Sequence, residues 1–200
     1  YLFIKSICEF VQVFKFYFLG FIFLFLFSNT FLFSFDTSAK SAILYDETTN
    51  SVLFEKFADK PLPPASMSKL MTLLLTFEAL EEKRISLSTK FRVSEKASKK
   101  GGSTMFLEKS QLVSVEDLIK GISVVSGNDA CIVIAEGLNG TEESFVKRMN
   151  LKAKDLGLLN SNFNNSTGWP SPGHYMSVRD LLTIATILKN EYPNYYKYFI

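Results

Sequence analysis

Apolar residues fall along this chain in three successive patterns. Residues 16–35 carry no charge and are mostly phenylalanine and leucine. Residues 41–56 hold two short β-prone runs separated by Glu47-Thr48-Thr49-Asn50. Two such runs across a polar cluster predict a hairpin, with strands over 41–46 and 51–56. From residue 63 onward apolar residues recur at helical spacing. Pro63 and Pro64 stand at the head of the first of these segments, as prolines do at helix starts. Residues 70–80 are apolar nearly all round, which predicts a buried helix. Residues 81–87 break that helix, and Ser86 starts a polar link.

Further on, 91–93 reads as a short strand and 94–100 as a short basic helix. Residues 101–104, Gly-Gly-Ser-Thr, form a flexible loop. Ser114 is placed to cap a helix, with Asp117 at its third position loosely imitating a capping box. Leu118, Ile119, Ile122 and Val125 share one face of it. Residues 129–138 form an apolar helix closed by Asn139-Gly140. Thr141 opens another, with Glu142 and Glu143 in a first turn that favours acids. Its buried face is expected from Phe145, Met149, Leu151 or Lys152, and Leu156, with Gly157 closing it. Residues 160–175 are a loop rich in Asn, Ser, Gly and Pro. Ser177 caps a last helix to about residue 190. Tyr192, Tyr195, Tyr196 and Tyr198 are expected to pack. Two strands followed only by helices leave a sheet too small to form a layer, so further strands are expected beyond residue 200.

Composition changes the picture mainly at the N-terminus. Twelve of the 20 phenylalanines lie in residues 1–35, and Lys5 and Lys15 precede the uncharged run. A basic flank before an apolar core reads as a secretory signal. About 20 uncharged residues would also suffice for an uncleaved membrane anchor. Residues 1–39 are assigned to one or the other, and residues 40–200 to the exported domain. The chain begins with Tyr1 and is read as open at both ends. From Asp36 onward 20 basic residues face 19 acidic ones, which gives no case for a nucleic-acid partner. Lys96 to Lys100 is the densest basic cluster and reads as a solvated face. Of the two cysteines, Cys8 lies in the leader and Cys131 in an apolar helix, so no disulfide framework is implied. One histidine, His174, in a Gly/Pro loop, makes neither a Ser–His–Asp triad nor a metal ligand set. No cofactor is implied.

Two short stretches carry chemistry. Ser66 and Lys69 lie three residues apart at the start of the buried helix, hence on one face of its first turn. Desolvation drives a buried lysine toward its neutral form. A neutral amine beside a hydroxyl is a base beside a nucleophile. Ser126-Gly127-Asn128 is a polar interruption between two apolar helices. Buried polar groups need partners, and Ser66 and Lys69 are candidates. A helix–turn–helix corner with Asn128 as N-cap is the other reading.

Taken together, the stretches 65–72, 102–107, 126–131, 166–168, 173–180 and 192–196 resemble the low-molecular-mass penicillin-binding D-alanyl-D-alanine carboxypeptidases. The wider family pairs Ser-x-x-Lys with Ser-x-Asn and a later Lys-Thr-Gly. The resemblance runs from about Ala42 to Tyr196. It implies an α/β fold of the serine β-lactamase and transpeptidase kind, a mainly antiparallel sheet flanked by helices plus a helical lobe. It implies a serine-type hydrolase of the bacterial cell envelope, periplasmic or on the outer face of the membrane. The substrate would be a peptidoglycan stem peptide, β-lactam antibiotics would inhibit it, and membrane association is expected. By resemblance Ser66 is the nucleophile, Lys69 the general base, Ser126 the proton relay and Asn128 the substrate-amide contact. Lys-Thr-Gly is absent from these residues and is expected downstream.

Alternatives on the same scaffold are a β-lactamase, a D,D-endopeptidase or a non-catalytic penicillin- or wall-binding protein. Class A β-lactamases use a glutamate for deacylation. Residues 156–179 contain no acid, so slow deacylation, and hence inhibition by penicillin, is expected.

Overall fold

A hairpin and two central helices set the frame in which the site is built. The computed structural model describes residues 36–199, together with Lys15 and Phe18. The expected signal or anchor lies almost wholly outside the described residues. Among the described residues no helix is long and apolar enough to cross a membrane. Ala39–Ile200 form one compact unit.

Strands β1 (Ala42–Asp46) and β2 (Ser51–Lys56) pair antiparallel, with a register shift between Leu44 and Tyr45. Leu44, Val52 and Leu53 remain exposed, as expected for two strands without a full sheet. The segment to the first helix is fixed by Leu62, which exchanges backbone hydrogen bonds with Met176. A 3-10 turn, Ala65–Ser68, then leads into α1 (Lys69–Glu81). This refines the expected helix start: Pro64 caps the 3-10 turn, and Lys69 is the first α-helical residue. Ten of the 13 residues of α1 are buried, in keeping with its all-round apolar pattern.

Strand β3 (Lys90–Arg92) precedes the short α2 (Glu95–Ser98) and pairs antiparallel with β4 (Leu112–Ser114), a strand the sequence pattern did not predict. Helix α3 (Val115–Val125) starts at Ser114, whose Oγ accepts from the Asp117 N–H and donates to its carboxylate. Leu118, Ile119 and Ile122 are buried on its inner face, but Val125 is exposed. It is the last residue before the chain turns away at Ser126, so it leaves the core stripe.

Helix α4 (Asn128–Asn139) is the second central helix, and Ala130 to Ala135 are all buried. It lies against α1, α2, α3 and α5 (Glu142–Asp155). Thr141 caps α5 as expected, and Phe145, Met149 and Ala153 form its buried face. Leu151 is exposed and Leu156 only half-buried; Ala153 lies four residues after Met149 and takes the place expected of Leu151 or Lys152. Helix α6 (Val178–Glu191), capped by Ser177, packs on α1 and β1. Arg179 fastens it to the hairpin side through Asp59 at 2.7 Å and Glu55 at 2.6 Å. The tyrosine-rich end forms α7 (Pro193–Tyr196) and a 3-10 turn, Lys197–Phe199. Tyr195 stacks on the buried Phe77 of α1 with centroids 5.1 Å apart, so these aromatics pack as expected.

Candidate active site

The N-terminal ends of the two central helices converge on one point. Lys69, the first residue of α1, is 4% exposed, whereas Ser66 before it is exposed. Lys69 Nζ lies 3.0 Å from Ser66 Oγ and 3.1 Å from Ser126 Oγ. A 3-10 turn eclipses side chains at i and i+3, and this places the Ser66 hydroxyl over the lysine amine. Burial lowers the Lys69 pKa below its ordinary value of 10.5; Cys131 nearby opposes this and the charge of Lys100 adds to it. Cys131 itself, fully buried, is pushed up to about 12 by desolvation and is an inert thiol.

Both serines stand at unusual backbone. Ala65, directly before Ser66, has φ +49°, and Ser126 itself has φ +57°. Such conformations cost about 1–2 kcal/mol at a residue with a side chain. Surrounding contacts hold each of them. At Ser126 the chain leaves α3 in the left-handed conformation that ends helices, and Asn128 begins α4 two residues later. Asn128 N–H donates to the Ser103 carbonyl at 2.7 Å, and its Nδ2 donates to the Gly101 carbonyl at 2.9 Å. Asn128 is thus the first helical residue, not the N-cap, and its side chain grips the 101–104 loop.

At Ala65 the support comes from the 165–169 loop. Asn165 Oδ1 accepts from the N–H groups of Thr167, Gly168 and Trp169 and so folds that loop on itself. The Ser166 carbonyl accepts from Thr72 Oγ1 at 2.7 Å, which pins the loop to α1. Ser166 N–H and Oγ both donate to Glu142 Oε1, and Glu142 pairs with Lys96 at 2.8 Å. Gly168 lies so close to Ala65 that a β-carbon there would stand 1.8 Å from its carbonyl oxygen.

Of the expected residues, Ser66, Lys69 and Ser126 are brought into contact, and Asn128 stands two residues beyond Ser126 with its amide on the Gly101 carbonyl. His174 is not among them; it is buried in the loop against Phe163, its Nδ1 accepting from the Asn164 N–H, and desolvation lowers its pKa. Two acids that support the site were not singled out. Glu142, a helix-start charge in the sequence pattern, is buried at the base of the 165–169 loop. Asp129 is 1% exposed, and its carboxylate accepts from the N–H groups of Met105 at 3.0 Å and Leu107 at 3.1 Å. A lone aspartate beginning an apolar helix was the one available signal. Nor is Lys96–Lys100 a merely solvated face: Lys96 pairs with Glu142 and Glu143, and Lys100 sits over the Trp169 ring.

Asp129→Ala would leave three backbone N–H groups, those of Met105, Leu107 and Ala130, without this acceptor, at about 1–3 kcal/mol each. Urea denaturation should show a loss of about 3 kcal/mol or more, and acylation of the site should slow because the 101–107 loop is freed from α4.

Chemically, the cluster offers an exposed hydroxyl, a buried amine able to take its proton, and a second hydroxyl on that amine's other side. That is an acyl-transfer arrangement built on two serines and a lysine.

Known proteins show the same arrangement of chain. The D-alanyl-D-alanine carboxypeptidase family matches residues 29–199. The D-alanyl-D-alanine carboxypeptidase DacF of Bacillus subtilis is 48% identical over 154 residues, 76% of this chain and 40% of its own. The crystal structure of the D-alanyl-D-alanine carboxypeptidase DacD from Francisella tularensis superposes with a TM-score of 0.80 at 33% identity, covering 82% of this chain and 40% of that one. Penicillin binding protein 5 from Haemophilus influenzae gives 0.79 at 32% identity, over 84% of this chain and 49% of that one. The chain thus spans less than half the length of these relatives. The transpeptidase-like α/β architecture expected from the sequence is the one these structures share.

Proposed function

The chain belongs to the D-alanyl-D-alanine carboxypeptidase family, and from that premise we propose that the full-length protein removes the terminal D-alanine from peptidoglycan stem peptides through an acyl-enzyme. The observation that carries this is the Lys69 amine within 3.0 Å of Ser66 Oγ and 3.1 Å of Ser126 Oγ, in a buried position that favours its neutral form. Ser66 Oγ attacks the carbonyl of the penultimate D-alanine, and its proton passes to Lys69 Nζ. N–H groups in a first helical turn lack intrahelical partners, so that of Ser66 serves the developing oxyanion. As the C–N bond breaks, a proton travels from Lys69 through Ser126 Oγ to the departing amine. Water then hydrolyses the ester. Asn128, whose Nδ2 is committed to the Gly101 carbonyl, accepts through Oδ1 from the amide N–H preceding the penultimate residue.

A β-lactam presents a strained amide to Ser66 where the stem peptide presents its scissile one. The acid-free stretch 156–179 offers no base for rapid deacylation, so penicillin inhibits. The uncharged run 16–35 behind Lys5 and Lys15 supports export, with residues 1–39 as signal or anchor and residues 40–200 within the catalytic domain. The enzyme then works in the cell envelope, associated with the membrane.

The test is labelling of the full-length protein with a fluorescent penicillin, followed by mapping of the modified peptide. The label should fall on Ser66 and should be absent from Ser66→Ala; labelling that survives the substitution overturns the assignment.

A further inference from the structure

Beyond Asn128 the site continues onto a cation and an aromatic ring that the chemistry above does not use. Lys100 Nζ stands 4.4 Å from the centroid of the Trp169 ring. Its neighbours Lys96, Lys99 and Lys109 are each paired with glutamates. Among the described residues no carboxylate lies within ion-pair distance of Lys100. It is half-buried, and Trp169 is 45% exposed. The ring is fixed close to the reacting groups. A β-carbon at Gly102 would lie 2.7 Å from Asn128 Nδ2 and 2.9 Å from Trp169 Cζ3. The indole and the Asn128 amide therefore flank the same glycine, which has φ +82° and leaves room for both. Trp169 also lines a cleft with Pro64, Ala65 and Gly168, the residues beside the nucleophile.

Resting on the function proposed above, the peptide's direction is defined. Ser66 meets the carbonyl of the penultimate residue, and Asn128 holds the amide before it. The next side chain along the stem, that of its third residue, then lies beyond Asn128. We propose that Lys100 and Trp169 form the position for that side chain and select a diamino acid bearing a free side-chain carboxylate, as in diaminopimelate, over lysine. The aliphatic part of the side chain lies on the exposed indole face, and the carboxylate replaces the ring as partner of the Lys100 ammonium. The side-chain end of diaminopimelate carries an ammonium and a carboxylate and can turn the carboxylate toward Lys100, whereas lysine brings an ammonium alone toward an ammonium, and like charges in contact repel. Trp169 is a positioning residue here, since its ring holds Lys100 facing the site.

Two synthetic stem peptides ending in D-Ala-D-Ala, differing only in diaminopimelate or lysine as third residue, provide the test with the full-length protein. D-Alanine release should favour the diaminopimelate peptide by about tenfold in kcat/KM, mostly through KM, since one exposed charge pair contributes up to about fivefold and the repelled lysine adds to the contrast. The preference should shrink in high salt. Lys100→Gln should bring the two peptides to within about twofold, Lys100→Glu should invert the order, and Lys100→Arg should keep it, with unchanged melting temperatures confirming folding. Equal rates on both peptides in the wild type, or a preference untouched by Lys100→Gln, overturns the inference while leaving the carboxypeptidase intact. Failure to release D-alanine from either peptide overturns the underlying function, and the inference with it.

Discussion

Acylation by penicillin should fall on the order of 10⁵-fold or more in Lys69→Ala, about as far as in Ser66→Ala, because residues that act as one unit are not additive. The reason lies in the geometry. The amine is the basic group in contact with Ser66 Oγ, and it touches Ser126 Oγ as well. Without it the hydroxyl has no base, and the second serine has no proton to pass on. Lys69→Arg sharpens the expectation. Arginine keeps the positive charge and can donate to both hydroxyls, but its guanidinium does not release a proton in a protein. It should be as inactive as the alanine variant. Stopped-flow measurement of acylation decides this; an arginine variant retaining more than about a hundredth of the rate would mean that charge, not basicity, is what Lys69 supplies.

The same burial fixes the sign of two pH dependences. Acylation requires the neutral amine, so its rate should climb as pH rises and level off above the folded-state pKa of Lys69. That midpoint should fall below 10.5, because burial lowers it. Stability follows the same group. Between the lowered folded pKa and the ordinary lysine value the unfolded chain binds the extra proton, so the contribution of Lys69 to stability rises with pH across that window. Below the window the buried ammonium is a standing cost, tolerated because two hydroxyls solvate it.

Local signals in the sequence make much of this legible. Ser114, Thr141 and Ser177 announced three helix starts, and each Oγ accepts from the N–H three residues on. The apolar surround of 70–80 announced a buried helix. Ser66, Lys69 and Ser126 could be joined because a polar group inside an apolar stretch must find a partner. What escaped notice depends on contacts distant in sequence. Strand β4 is three residues long and shows no alternation worth reading; it exists because β3 lies beside it. Glu142 and Ser166 meet across 24 positions, and Asp129 and Met105 across 24 in the other direction. Nothing local marks Glu142 as buried, and for Asp129 the apolar helix that it begins is the one local sign. The positive φ angles at Ala65 and Ser126 were equally invisible, since neither residue type favours them. They are imposed by the packing of loops against the two central helices, and they fall at the two places where a serine is presented to the amine.

That packing can be tested at a residue with no chemistry of its own. Gly168→Ala should destabilise the full-length protein by roughly 3–5 kcal/mol, combining the left-handed backbone with a severe clash. Gly168 has φ +81°, and an added β-carbon would stand 1.8 Å from the Ala65 carbonyl oxygen and 2.6 Å from Ser68 Oγ. Both neighbours are poorly free to move. Ala65 is backbone in a tight turn, and Ser68 Oγ is engaged with that same carbonyl. The 165–169 loop is itself anchored by Thr72 and Glu142. Relief must come from displacing Ala65, and Ser66 goes with it. A shift of about 1 Å in a reacting group is enough for a loss on the order of 100-fold, so penicillin acylation should fall at least that far in whatever fraction remains folded. Gly157→Ala separates the two causes. Gly157 has φ +69° but no atom within 4 Å of its would-be β-carbon. It should lose only about 1–2 kcal/mol and keep its acylation rate. Equal losses from the two substitutions, or normal acylation in Gly168→Ala, would show that the nucleophile does not depend on this contact for its position.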